Sequence, residues 1–175
     1  MSKNLLKKEF VTFTNEQLVE VILNAYDSSK EAKNYFEFFL NPDAEALLEK
    51  KTDIIAKELN RSKRGYCKGK ISLIRNTIKG FEAYGVGPDY VGRLMLATIR
   101  MLVGQYRYLN YAEPLLKGTY RMVADYIAYA NQHGFVTEAL AEINKISRTD
   151  GFSTAQMRER ITSIAAKTVE ELNTV

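Results

Sequence analysis

Ten residues, RSKRGYCKGK at 61–70, hold the densest set of side chains able to do chemistry: five Lys or Arg, two Gly and the chain's single cysteine, Cys67. Glycine beside lysine in a basic loop raises the question of a phosphate cradle. The nucleotide-binding form needs the spacing G-x-x-x-x-G-K-[ST] after a strand, so that backbone N–H groups wrap the phosphates and a hydroxyl reaches magnesium. Here Gly65 and Gly69 leave three intervening residues, Ile71 stands where the hydroxyl belongs, and the preceding segment has helical periodicity. A nucleotide loop is excluded.

A polyanion surface asks for less. Between Glu58 and Glu82 there is no acidic residue, while Arg61, Lys63, Arg64, Lys68, Lys70, Arg75 and Lys79 are all basic. The formal net charge of the whole chain is +4, so this segment carries the basicity and the remainder is acidic on balance. Each cation that meets a phosphate releases counterions, and Tyr66 offers a ring on which a base can stack. Downstream, Arg93, Arg100 and Arg107 recur every seven residues. Two helical turns separate each pair, which puts the three guanidinium groups on one stripe. These ten cations form a candidate nucleic-acid or polyanion site. The same spacing also suits a row of partners for acids on a neighbouring helix.

Tyr106, Tyr108 and Tyr111 cluster beside Arg100 and Arg107. Tyrosine and arginine combine contact area with directed hydrogen bonds and anchor protein interfaces. Tyr106, Tyr108, Tyr111 and Arg100 are therefore the candidate protein interface, against the plainer reading that the rings fill a core with hydroxyls at its rim.

Catalysis and metal binding find little footing. His133, the only histidine, stands one residue before Gly134, the place of an ordinary helix C-terminal cap. Cys67 is flanked by Arg64, Lys68 and Lys70, which favours the thiolate, but no histidine lies near it in sequence to act as base. The pairs Glu45/Glu49 and Glu138/Glu142 share helix faces without the histidine that a di-metal carboxylate bundle requires. No catalytic residue, cofactor or metal is assigned.

The elements that would position these residues read as helices almost throughout. Thr14 caps NEQLVEVILNAYD, with Gln17 completing a capping box, and the apolar stripe is Leu18, Ile22, Ala25 and Tyr26, widened by Val19 and Leu23. After Asp27-Ser28-Ser29 a helix ends in the aromatic group Tyr35, Phe36, Phe38 and Phe39. Asn41 and Pro42 open the next, whose stripe runs from Ala44 to Leu59. Past the basic stretch, Ile71, Ile74, Ile78 and Phe81 form a narrow face that stops at Gly85, and Pro88 starts the most apolar helix. Pro114 opens a helix ending at Gly134, and a shorter one follows. Asp150-Gly151 is a turn, and Ser153 caps the last helix. The alternating run FVTFT is too short for a sheet.

The fold class is all-α, with about eight helices. Gly85 and Gly134, 49 residues apart in similar surroundings, leave two architectures open: an irregular helical bundle or a short HEAT-like array of antiparallel hairpins. The length of 175 residues suits a single domain, read as an N-terminal three-helix block over 1–60, a basic connector over 61–69 and a main block over 70–175. A lone cysteine, no secretory leader and no long apolar run suggest a cytoplasmic protein with no membrane span.

The segments SKNLLKKEF, TNEQLVEVILNAYD, YFEFFLNPDAEALLEKKTDIIAKEL and FEAYGVGPDYVGRLML resemble a domain-of-unknown-function family of small helical bacterial proteins seen in Bacteroidetes. The likeness spans roughly residues 2–105 and includes a basic Lys/Arg/Gly linker. It implies a cytoplasmic helical protein of this size and carries over no activity, cofactor or catalytic residue. The residues favour a non-catalytic interaction module for a protein partner or a second copy of itself, with nucleic-acid binding as the alternative.

Overall fold

The computed structural model describes residues 2–60, the main chain of 62–63 and 66–67, and residues 69–105, 113–148 and 155–174. Among them are nine helices: α1 (Lys3–Phe10), α2 (Asn15–Ser28), α3 (Lys30–Leu40), α4 (Ala44–Leu59), α5 (Ile71–Glu82), α6 (Pro88–Gln105), α7 (Glu113–Gln132), α8 (Val136–Arg148) and α9 (Ala155–Asn173). The protein is all-α. The basic stretch contributes β1 (Ser62–Lys63) and β2 (Tyr66–Cys67), which pair antiparallel, Ser62 opposite Cys67. Where a plain connector was anticipated, the main chain forms a minimal ladder. Asp150-Gly151 and Ser153 lie outside the described residues.

The chain divides into two compact units, Met1–Asp43 and Ala44–Val175. Helix α4 groups with the larger unit because of its burial. Leu48, Ile55 and Leu59 of α4 are buried in the core of the larger unit, where α4 packs on α5 and α6.

In the smaller unit, local signals fix each helix. Ser2 caps α1. Thr14 and Gln17 make the anticipated capping box on α2: Gln17 N–H donates to Thr14 Oγ1 at 3.3 Å and Thr14 N–H to Gln17 Oε1 at 2.9 Å. Ser29 accepts from Ala32 N–H at 3.0 Å and starts α3. Helices α2 and α3 pair through half-buried residues, with Tyr26 and Phe36 ring centroids 6.5 Å apart. The residues of FVTFT end α1 and form the turn before Thr14.

In the larger unit, α6 packs on α4, α5 and α7, while α7 packs on α6, α8 and α9. The two are the middle of an irregular bundle flanked by the hairpins α4–α5 and α8–α9. Helix α6 buries Leu94, Ile99, Leu102 and Val103, and α7 buries Met122, Val123, Ile127 and Ala130. Full burial of a side chain of this size stabilises by about 1.5–3 kcal/mol relative to exposure. The buried hydroxyls of Thr98 and Thr119 donate to the carbonyls of Leu94 and Leu115, at 2.7 and 2.9 Å, so these helix interiors carry polar atoms that are satisfied. The narrow face of α5 buries Ile74, Ile78 and Phe81 as its periodicity requires.

Glycine ends two of these helices. Gly85 and Gly134 have φ of 74° and 81°, the left-handed region that other residues reach at a cost. At Gly134 the following Phe135 N–H reaches back to Ala130 O at 2.9 Å, and Phe135 sits 6.2 Å from the Tyr129 ring. That is a Schellman stop with its apolar clasp. Gly118 works by size: a Cβ there would overlap Ile71 Cγ1 and Cδ1. The Ile71 side chain of α5 lies against α7 in the space that this carbon would take. Gly118→Ala should therefore destabilise the protein by about 1–3 kcal/mol in denaturant unfolding, and adding Ile71→Ala should recover part of the loss. Simple addition of the two losses would contradict this contact.

Candidate functional site

The arginine stripe is built by α6 and is answered by acids of the same unit. Arg93 donates from both terminal nitrogens to Glu45 of α4, at 2.8 and 2.6 Å, and its guanidinium lies 5.3 Å from the Tyr90 ring. Such a two-bond fork is the strong form of the arginine–carboxylate pair. Arg100, one stripe position on, donates to Glu142 of α8 at 2.6 Å, and Lys145 also bonds Glu142. Arg93 and Arg100 thus face opposite flanking hairpins, each with a carboxylate. Arg107 lies outside the described residues.

Of the basic segment, Arg75 pairs with Asp125 of α7 at 2.7 Å. Arg75 and Lys79 line a shallow cavity of about 190 Å³ with Glu82, Asp125 and Tyr129. Two cations there meet two carboxylates, so the cavity has no net pull on an anion, and ligand pockets are usually larger, about 300–1,000 Å³. Burial, aided by Glu82 and Asp89, pushes the Tyr129 hydroxyl above its ordinary range. Lys70 is exposed, and its backbone N–H donates at 3.0 Å to the buried carboxylate of Glu58. That bond closes the basic excursion onto the end of α4. Arg61, Arg64 and Lys68 lie outside the described residues, and Lys63 is described only for its main chain.

Tyr106, Tyr108 and Tyr111 also fall outside the described residues, so the proposed aromatic surface is represented by Arg100 alone. His133 is exposed, its ring 4.3 Å from that of Tyr129 at the end of α7. Among the described residues, no three His, Cys, Asp or Glu side chains come together as a metal site.

The surface that sequence reasoning missed is in the smaller unit. None of α1, α2 or α3 contains a buried residue. Leu5 and Leu6 of α1, Val19, Ile22 and Leu23 of α2, and Phe39 and Leu40 of α3 are exposed, Phe39 at 70% and Leu40 at 73%. Only the inner part of the α2 stripe, Leu18, Ala25 and Tyr26, is half-buried. Periodicity put Ile22 on the apolar stripe of α2, with Val19 and Leu23 widening it, and periodicity carries no information on what covers a stripe. The available signal was length: chains near 40 residues cannot cover all their apolar surface alone.

Fold and surface together define a class, an all-α protein whose smaller helical unit keeps large apolar side chains in the open. The chain belongs to DUF6155, a family of unknown function, which matches it over residues 1–166. No curated protein and no solved structure matches it. No helix among the described residues is long and apolar enough to cross a membrane.

The ion pairs leave a pH signature. Hydrogen bonding from Lys145 first, then Arg100, holds the Glu142 carboxyl below its ordinary value of 4.5, as Arg93 does for Glu45. A depressed carboxyl pKa contributes stability that is present above the ordinary value and lost as pH falls through the folded one. Carboxyl NMR titration should place the Glu142 midpoint below 4.5, and Lys145→Ala should raise it more than Arg100→Ala does. A midpoint unmoved by either substitution would refute the pairing.

Proposed function

We propose that this protein is a non-catalytic, cytoplasmic protein-interaction module whose docking surface is the N-terminal helical unit Met1–Asp43. The observation that carries the reading is the exposure of Val19, Ile22, Leu23, Phe39 and Leu40 in a unit whose three helices contain no fully buried residue. Apolar patches beyond a few hundred Å² are rare on surfaces meant only for water and mark contact sites. The larger unit supports the reading from the other side. Arg75, Arg93 and Arg100 already have carboxylates, and the cavity beside Arg75 and Lys79 is balanced in charge. A photo-crosslinking amino acid at Phe39, expressed in the native host, should give discrete protein adducts, whereas the same group at exposed Lys117 of α7 should give none. Equal, diffuse labelling at both positions would overturn the reading.

Polyanion binding by the 61–79 segment is the second reading, favoured by the Glu58–Lys70 bond that holds a segment without acids closed on the fold. Labelled single- and double-stranded oligonucleotides should then bind by fluorescence anisotropy and weaken steeply between about 50 and 200 mM salt. Neutralising Lys63, Arg64 and Lys68 together should weaken binding further. Absence of binding at low salt excludes it.

A further inference from the structure

We infer that the N-terminal unit pairs with the same unit of a second copy, α1 of each chain lying on α2 of the other; the inference rests on the docking role proposed above. Two short faces of opposite character carry it. Helix α1, KNLLKKEF, has three lysines and one glutamate around exposed Leu5 and Leu6. Helix α2 has Glu16, Glu20 and Asp27 and no basic residue, bordering exposed Val19, Ile22 and Leu23. Among the described residues, no ion pair joins a charge of α1 to one of α2, although only Val11–Thr14 separates the helices.

Each face is therefore the complement of the other, and within one chain both stay open. A two-fold axis satisfies both at once, because an isologous contact is made twice by the same residues. Lys3 and Lys7 stand one helical turn apart, as do Glu16 and Glu20, so their spacings match across the contact. Glu20, one turn beyond Glu16 on the same side of α2, is the acid taken as the partner of a lysine of the second chain. Leu5, Leu6, Val19, Ile22 and Leu23, 47%, 38%, 54%, 46% and 57% exposed, supply the apolar part of this contact.

The test is charge reversal in the full chain, read by sedimentation velocity at low salt. The wild-type protein should dimerise at about 100 µM, above the micromolar range in which such interfaces saturate. Lys7→Glu alone and Glu20→Lys alone should each weaken the dimer by about tenfold or more, since each places two like-charge contacts across the axis. An equimolar mixture of the two variants should restore it, because both contacts then join opposite charges. Unchanged association in either single variant, or no rescue on mixing, overturns the geometry. If the wild type is monomeric, a soluble paramagnetic probe separates the causes. Methyls of Val19, Ile22 and Leu23 that remain open to it refute self-pairing but leave the face available to another protein. Methyls that are shielded in the monomer refute both.

Discussion

The larger unit depends on the contact between α6 and α7. Each of these helices packs on three others, and between them they contribute half of the buried hydrophobic side chains of the core among the described residues. The flanking hairpins are held by matching short side chains to close approaches. Gly118 admits Ile71 of α5, and Gly92 admits Phe135 at 3.0 Å from its vacant Cβ position. Phe135 is at the same time the clasp of the Schellman stop on α7. One aromatic ring thereby ties the end of a central helix to the face of its neighbour.

Charge is arranged around this centre. The long arginines of α6 extend outward from a buried stripe and find acids on the flanking helices, Glu45 on one side and Glu142 on the other. Exposed pairs of this kind contribute little each, about 0–1 kcal/mol.

The smaller unit obeys a different constraint. Its helices are capped as firmly as any in the protein, by Ser2, Thr14 and Ser29. Capping, however, orders a helix end without covering its apolar side. Chains of this length generally need a disulfide, a metal or a partner to complete a core. That deficit leaves large apolar side chains such as Phe39 and Leu40 exposed.

Helix starts, helix stops and the all-α class were legible in the sequence because they depend on neighbours in the chain. Thr14 with Gln17, Ser29, Pro88, Gly85 and Gly134 act within a turn of themselves, and the periods of α5 and α6 mark which face is apolar. What tertiary structure decided was which apolar faces find a cover and which charges find a partner. The stripe of α4 and that of α2 are alike in the sequence, yet Ile55 is fully buried while Ile22 stays 46% exposed. Arg100 could have paired with an acid on any neighbouring helix, and in the fold it meets Glu142, 42 residues away. Periodicity records that a side chain prefers a cover; only the arrangement of distant helices supplies one.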